Sequence, residues 1–235
     1  MKRIRQAFIG LGRLIYPKPC PSCHRGMMQW EVELCNVCWA KISYIELHAE
    51  RETLLQERLA GRVNLLQAHA MMRFYQGGMS RQILQAIKYK GKSSLAGKMG
   101  KVFGDRLENI LTITPDSILV PVPLHPLKMQ MRGFNQSEKI ADGLGEVLSI
   151  PVVADGLERV QFHVSQTKKG KEARWEQIKN DFRAKKEKVS HRDIILVDDV
   201  CTSGATIEAC AKALQENDIK SISLLTLAVA GDNYR

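Results

Sequence analysis

Runs of apolar residues alternate with helical repeats of apolar residues along most of this chain. Four short runs have the length and composition of buried strands, and they cover residues 68–75, 118–123, 194–197 and 222–229. Between them, apolar residues recur every three or four positions, as on a helix with one buried face. These repeats cover residues 79–110, 135–148 and 206–217. The alternation predicts an α/β fold in which helices flank a mostly parallel sheet.

Two stretches interrupt the alternation. Residues 46–67 are charged and contain scattered leucines, which predicts one helix or a helix-rich linker. Residues 161–171 are lysine-rich without an apolar period, which predicts a mobile basic loop. We therefore expect an N-terminal helix and cysteine module in residues 1–45, the helical linker, and an α/β domain in residues 68–235. His69, in the first predicted strand, is expected to be half-exposed.

Composition places the chain among globular proteins. It has 235 residues, 44% of them hydrophobic and 26% charged, and no apolar stretch approaches the roughly 18 residues that a membrane-spanning helix requires. The N-terminus is basic and then apolar, but no small-residue cleavage site follows, so a secretory signal is not expected. A short amphipathic helix, docked on the protein body or on a membrane or partner, is the alternative. We expect a cytoplasmic protein without a membrane span.

Four of the six cysteines form two CxxC pairs separated by a short loop. Each pair lets a tight turn present two thiolates to one ion, and four thiolates complete the closed tetrahedron of a structural zinc site. The predicted zinc ligands are Cys20, Cys23, Cys35 and Cys38. Two disulfides, or His24 in place of one thiolate, are the alternatives. Cys210 lies at helical spacing from Ile207 and Leu214 and is expected to be a buried thiol.

The apolar run 194–197 leads directly into two acids and then into a small, hydroxyl-rich turn. In parallel sheets ligands bind outside the carboxyl ends of the strands, where Asp198 and Asp199 would lie. The small residues from Thr202 to Thr206 would let backbone N–H groups converge at a helix N-terminus, which suits a phosphate monoester. The carboxylates can accept hydrogen bonds from vicinal hydroxyls and approach a divalent cation. Phosphate beside a diol indicates ribose 5-phosphate.

Several motifs resemble those of one protein family. The segment from Ile194 to Thr206 resembles the phosphoribosyl pyrophosphate (PRPP) loop of the type I phosphoribosyltransferases. The chain as a whole resembles the ComF/GntX family, from the cysteine pairs to the last predicted strand. The further motifs are Ile87-Lys88-Tyr89-Lys90-Gly91, Val120-Pro121-Val122-Pro123, Arg132-Gly133-Phe134-Asn135-Gln136, Ser165-Gln166-Thr167 and Arg174-Trp175. The resemblance implies a type I phosphoribosyltransferase-like fold with an N-terminal zinc knuckle or ribbon.

The resemblance also implies roles for individual residues. Asp198 and Asp199 would hold the ribose 2′- and 3′-hydroxyls, with Mg²⁺ bridging the diol and the pyrophosphate. Arg132 would grip pyrophosphate and join the aspartates as a catalytic residue, unless it is an ordinary surface arginine. The residues implied to bind PRPP are Asp198, Asp199, Val200, Cys201, Thr202, Ser203, Gly204, Ala205 and Thr206. Gln177 stands where the family pattern has asparagine, and Cys201 would alternatively be a reactive thiol with a lowered pKa.

These roles imply a phosphoribosyltransferase that releases pyrophosphate. Mg²⁺ and Arg132 would neutralise the leaving group, while the basic loop closed over the site. No motif specifies the acceptor, a nucleobase or an amine, although the strand 68–75 and Lys88 would contribute to its binding. Because the family is associated with DNA uptake and the net charge is +10, single-stranded DNA and the DNA-uptake machinery are candidate partners. A non-catalytic PRPP sensor and a DNA-handling protein that uses the zinc module are the alternatives.

Overall fold

The structure is a computed structural model that describes residues 17–48, 53–89, 91–160 and 181–231. The expected N-terminal helix, the basic loop 161–171 and the motif Arg174-Trp175 with Gln177 lie outside the described residues. None of the helices within the described ranges is long and apolar enough to cross a membrane.

The strands of the described residues form a main sheet and a smaller antiparallel pair. They are β1 (Ala68–Phe74), β2 (Ser117–Pro121), β3 (Leu157–Arg159), β4 (Phe182–Ala184), β5 (Asp193–Cys201) and β6 (Ser221–Ala230). The main sheet has the order β1-β6-β5-β2, and each neighbouring pair in it is parallel. Strands β3 and β4 form the antiparallel pair. The predicted α/β fold with a mostly parallel sheet is confirmed.

Helices lie between the strands and cover both faces of the main sheet. They are α1 (Asn36–Ala40), α2 (Leu54–Leu59), α3 (Met79–Tyr89), α4 (Ser93–Leu107), α5 (Pro126–Arg132), α6 (Gln136–Leu148), α7 (Lys186–Val189) and α8 (Ala205–Gln215). One hydrophobic cluster contains residues of α3, α4 and α6, and the other contains residues of α2 and α8.

Strand β5 explains why a central strand reads as a continuous apolar run. Ile195 and Val197 belong to the first hydrophobic cluster, whereas Ile194 and Leu196 belong to the second. Successive side chains of a strand point to opposite faces, so a strand covered on both faces must be apolar at every position. The apolar run ends at Val197, and the next two positions of β5 are the aspartates Asp198 and Asp199.

Helices α4 and α6 approach each other closely at two glycines. A Cβ atom at Gly100 would lie 2.2 Å from the carbonyl oxygen of Ile140, and one at Gly143 would lie 2.2 Å from that of Gly97. Only glycine fits at either position, so the two helices pack backbone to backbone. Helix α6 begins at Gln136, the last residue of the RGFNQ motif, and this packing fixes the motif relative to the sheet.

Two local predictions are corrected. Within the described part of the linker, the helix is confined to Leu54–Leu59, with Thr53 as its N-cap in a capping box. The segment before it is extended, since Tyr44 forms an antiparallel bridge to Met72 on the edge of β1. His69 is buried rather than half-exposed, because β1 is covered on both faces. Cys210 is buried as predicted.

The cysteine module packs on helix α3 instead of standing apart from the sheet. The hydroxyl of Ser22 donates to Oε1 of Gln82 over 2.9 Å. Three of its cysteines, Cys20, Cys35 and Cys38, are buried in the hydrophobic cluster that includes Ile83 of α3. The module and the larger domain therefore share one core.

Candidate functional site

The four predicted zinc ligands lie together in the structure. The Sγ atoms of Cys20 and Cys38 are 3.7 Å apart, and those of Cys23 and Cys35 are 3.6 Å apart. Thiolates bound about 2.3 Å from one tetrahedral zinc ion lie ~3.8 Å apart, whereas disulfide sulfurs are about 2.05 Å apart. All four sulfurs lie within 4.8 Å of one another, and all are free thiols. The disulfide alternative is wrong, and the thiols are arranged as a tetrahedral metal site requires.

Local electrostatics lets the module ionise in part before a metal binds. Burial opposes ionisation of Cys20, but backbone N–H groups of Cys23, Cys35 and Ser22 outweigh it and lower its pKa to about 7. Burial and the neighbouring thiols raise the pKa of Cys35 and of Cys38. A divalent cation at the centre would supply the positive charge that the remaining thiolates need.

A second candidate site lies at the carboxyl ends of β2 and β5. It is a cavity of about 180 Å³, and its walls come from the loop after β2, from α5 and α6, and from the end of α3. Five of the predicted residues line it, namely Arg132, Asp198, Asp199, Val200 and Thr206. The cavity occupies the place where open α/β sheets bind their ligands.

The two aspartates occupy successive positions near the end of β5. Oδ1 of Asp198 accepts hydrogen bonds from the hydroxyl of Ser137 over 3.0 Å and from the N–H of Asp199 over 2.8 Å. Nζ of Lys88 lies 2.8 Å from Oδ2 of Asp199. Burial and the charge of Asp199 raise the pKa of Asp198 to about 7. Among the described residues, the two carboxylates have one ammonium partner, that of Lys88. The pair can therefore still accept a cation or hydroxyl donors.

Cations from helix α5 also line the cavity. The Arg132 guanidinium donates to Oε1 of Gln136 over 2.7 Å and lies 5.5 Å from the ring centroid of Tyr89. Lys128 lies one helical turn earlier on α5, where burial and the charges of Arg132 and Arg159 lower its pKa. The Arg132 side chain is thus part of the cavity wall, and an anion bound here would relieve the repulsion among these cations.

The small antiparallel pair supplies a further cation. Arg159, at the end of β3, donates to Oδ2 of Asp181 over 2.8 Å and lies 5.2 Å from the ring centroid of Phe182. His125 lines the same cavity, and burial together with the charges of Arg159 and Lys128 lowers its pKa. The cavity therefore combines two carboxylates with several cations.

The turn between β5 and α8 contains the rest of the predicted PRPP-binding residues. Gly204 has a φ of +80°, which glycine adopts without strain. Cys201 has a buried side chain, and burial and the charge of Asp198 raise its pKa to about 11. The alternative of a reactive thiol with a lowered pKa is wrong, and Cys201 reaches a ligand only through its backbone.

Several residues at the cavity had no predicted role. Gln136 ends the RGFNQ motif and Ser137 follows it, while His125 and Lys128 follow the carboxyl end of β2, so their positions carried a usable signal. No sequence signal marked Arg159. Its position depends on the pairing of β3 with β4, two short strands that are separated by residues 160–181. Lys88 is present as expected, but β1 lies at the opposite edge of the sheet from β2 and contributes nothing to the lining.

Comparisons with known proteins agree with this geometry. Residues 131–234 match the model of the phosphoribosyl transferase domain. The chain is 31% identical to Competence protein F of Haemophilus influenzae over 118 residues, which cover 49% of this chain and 51% of that protein. It is 25% identical to Competence protein ComFC of Bacillus subtilis over 215 residues, which cover 89% of this chain and 83% of that protein. The match thus spans about half of the length of the first relative.

Among solved structures, the chain is similar to a glutamine PRPP amidotransferase from B. subtilis complexed with ADP and GMP. The match has a TM-score of 0.40 and 18% identity, and covers 57% of this chain and 26% of that one. The domain match, the competence relatives and the four-cysteine module support the resemblance of this chain to the ComF family of the phosphoribosyltransferase superfamily.

Proposed function

We propose that this chain binds PRPP with Mg²⁺ and transfers the phosphoribosyl group to an acceptor with release of pyrophosphate. Its setting would be DNA uptake or utilisation, which the names of the competence relatives suggest. The six free cysteines suit a reducing compartment such as the cytoplasm. The observation that carries the proposal is the cavity itself, which two carboxylates and several cations line at the carboxyl ends of parallel strands.

The carboxylate pair fits a ribose diol and a nearby Mg²⁺. Burial keeps the pKa of Asp198 raised, and Lys88 neutralises one of the two acids. Hydroxyl donors satisfy carboxylates without adding charge, and Mg²⁺ prefers oxygen ligands. When bound, Mg²⁺ would supply positive charge that offsets the negative charge of the pyrophosphate. Asp198 and Asp199 would hold the 2′- and 3′-hydroxyls and so orient the ribose.

The cations that line the cavity fit the leaving group. As the bond between C1 and pyrophosphate breaks, negative charge builds on the pyrophosphate oxygens. Arg132 and Lys128 are placed to stabilise that charge, and Gln136 holds the Arg132 guanidinium through its 2.7 Å hydrogen bond. Donors fixed before the reaction lower the barrier without reorganisation. Lys88, at present paired with Asp199, would turn toward the pyrophosphate when hydroxyl groups occupy the aspartate.

The proposal is tested by measuring binding and turnover on the same protein. Calorimetry should detect PRPP binding that requires Mg²⁺, and a coupled assay should detect pyrophosphate release with one member of a panel of nucleobases and simple amines. Tight binding without release for any acceptor would favour the sensor alternative. Absence of binding with Mg²⁺ present would end the proposal.

A second candidate function, the handling of single-stranded DNA, is favoured by two exposed aromatic side chains. Trp30 in the cysteine module is 71% exposed, and Tyr89 at the rim of the cavity is 70% exposed. Exposed aromatics beside cations are the features on which bases stack. Binding of an oligothymidylate should quench tryptophan fluorescence and weaken with salt. The double variant Trp30→Ala/Tyr89→Ala should lose that binding, and equal affinity in the variant would remove this candidate.

A further inference from the structure

The short helix of the linker lies against the turn between β5 and α8. Helix α2 is held in place by Thr53, whose hydroxyl caps it and donates to the carbonyl of Ala68 at the start of β1 over 2.6 Å. Its leucines, Leu55 and Leu59, are fully buried in the cluster that α8 shares. The helix is therefore anchored independently of the turn that it contacts.

Two arginines from this segment bind the carbonyl groups of the turn. Nη1 of Arg58 donates to the carbonyl of Thr202 over 2.6 Å, and Nη1 of Arg62 donates to the carbonyl of Ser203 over 2.7 Å. Arg58 also donates to the carbonyl of Ala230, the last residue of β6. Each guanidinium thus joins the turn to a second part of the fold.

Arg62 is itself fixed by an ion pair. Its Nε and Nη2 atoms donate to Oε2 of Glu208 over 2.9 and 2.7 Å, in the first turn of α8. The Arg62 side chain is 26% exposed and that of Glu208 21% exposed. A planar guanidinium with three of its N–H groups engaged has little freedom to rotate. The carbonyl of Ser203 therefore meets a donor whose position is already set.

Gly204 brings the turn close to α2. A Cβ atom at this position would lie 2.6 Å from Cδ2 of Leu59 and 3.3 Å from Nη1 of Arg62. The turn backbone at Gly204 therefore packs directly on the side chains of Leu59 and Arg62. Glycine is required here both by the positive φ and by this approach.

The direction of the carbonyls determines the direction of the amides. The C=O of one residue and the N–H of the next share a planar trans peptide unit and point to opposite sides. Arg58 and Arg62 hold the C=O groups of two successive units, whose N–H groups belong to Ser203 and Gly204. Within the described ranges, these two N–H groups donate to no protein acceptor. They point away from α2 and are free to receive an anion.

We propose that Arg58 and Arg62 are positioning residues, which orient the backbone N–H groups of Ser203 and Gly204 toward the 5′-phosphate of the ligand. The proposal rests on the proposed function for the identity of that phosphate. The linker segment is then part of the ligand-binding machinery, although neither arginine lines the cavity. The arginines act from behind the turn, so their loss weakens phosphate binding without removing a ligand contact.

The test compares the double variant Arg58→Ala/Arg62→Ala with the wild type in the full-length, zinc-loaded protein. NMR order parameters of the backbone N–H vectors of residues 203 and 204 in the ligand-free protein should fall from the range of a rigid backbone, about 0.85, toward that of a flexible one, below about 0.6, since the turn loses both fixed donors. Calorimetry should then give the same loss, about tenfold, in affinity for ribose 5-phosphate and for PRPP with Mg²⁺, while the affinity for pyrophosphate alone stays unchanged. Arg62→Lys, which keeps the charge but cannot bond both Ser203 and Glu208 as a fork, should give an intermediate loss.

The matched control is Arg106→Ala. Arg106 is also a partly buried arginine that donates to a backbone carbonyl, that of Ile45 over 2.9 Å, but it lies in α4 away from the turn. This variant should unfold at a lower temperature while its order parameters at residues 203 and 204 and its ligand affinities match the wild type.

Two failures are distinguishable. If the wild type binds neither ribose 5-phosphate nor PRPP, the proposed function fails, and the order parameters still decide whether the arginines order the turn. If the wild type binds and the double variant and Arg62→Lys have unchanged order parameters and affinity, the positioning role is wrong while the proposed function stands. Lower order parameters with unchanged affinity for ribose 5-phosphate would also overturn it.

Discussion

The cysteine module and the cavity differ in how their chemistry is distributed along the chain. The four thiols lie between residues 20 and 38, whereas the cavity is lined by residues from 88 to 206. Two short CxxC turns bring the thiols together with little help from the rest of the fold. The cavity exists only because the order β1-β6-β5-β2 places the ends of β2 and β5 side by side.

The difference explains which features were predictable. Spacing alone predicts the module, because a tight turn has few conformations. A cavity assembled from distant segments is predicted only where a motif marks the position, as at Asp198, Asp199 and Arg132. The cysteine module is nevertheless not independent of the larger domain, because its buried thiols belong to the core of that domain. The first two of the following experiments change one region and also measure the other.

The largest effect is expected from breaking the metal site. Cys38→Ser removes a buried thiolate, and the module should lose zinc and most of a folding contribution on the order of 10 kcal/mol. Elemental analysis and denaturant unfolding measure both. Because the module shares a core with α3, α3 should also lose hydrogen-exchange protection, while the strands of the main sheet remain protected.

The control for this experiment is Cys210→Ala. Cys210 is equally buried but belongs to the other hydrophobic cluster. This variant should retain one zinc per chain and lose about 1 kcal/mol of stability from the small cavity. A zinc-free wild-type protein with unaltered stability would show that the four thiols have no structural metal.

The next effect is on the cavity. Changing Asp198 and Asp199 together to asparagine removes two charged acceptors, each worth about 1.5–3 kcal/mol in a hydrogen bond. Affinity for PRPP with Mg²⁺ should therefore fall by a hundredfold or more, about the sum of the two bonds. Zinc content should not change, because the metal site has its own ligands. Asp142→Asn, which changes an exposed carboxylate on α6, is the control, and unchanged affinity in the double variant would end the ribose assignment.

A smaller effect separates catalysis from binding. Arg132→Ala should lower turnover by roughly a hundredfold, the order expected for one preorganised donor, and weaken PRPP binding far less, because charge builds on pyrophosphate mainly in the transition state. Pyrophosphate release and calorimetry on one preparation measure the two quantities. Arg183→Ala, at a side chain that is 70% exposed, serves as the control. Equal losses in binding and turnover would remove Arg132 from the catalytic residues.

Much of the fold followed from the sequence because β2, β5 and β6 are apolar on both faces and the helices have one apolar face.

The exceptions have physical causes. The pair β3–β4 consists of three-residue strands, too short to give a period. Helix α2 is six residues long and is defined by its Thr53 cap and buried leucines. His69 was expected at a half-covered position, but the segment around Tyr44 and helix α2 cover β1. Arg58 and Arg62 act through backbone carbonyls, which no sequence motif records.

The smallest effect concerns the pH dependence of stability. Burial and the charge of Asp199 raise the pKa of Asp198 from 3.8 to about 7. In that interval the folded state keeps a proton that the unfolded state releases. The free energy of unfolding therefore falls as pH rises from about 4 to about 7 and is constant above that range for this group.

Asp198→Asn removes this dependence and should stabilise the protein on the alkaline side. The gain should be small near pH 5 and reach roughly 1–2 kcal/mol by pH 8, less than the full shift implies because the side chain still reaches solvent. Denaturant unfolding between these two pH values measures it. Asp155→Asn is the control, since hydrogen bonds from Lys188 and Lys185 lower the pKa of Asp155 to about 2, and no dependence from it falls in this range. A variant that gains nothing at pH 8 would mean that the two aspartates are already neutralised by Lys88 and Ser137, and that the site does not need a cation or a diol to be stable.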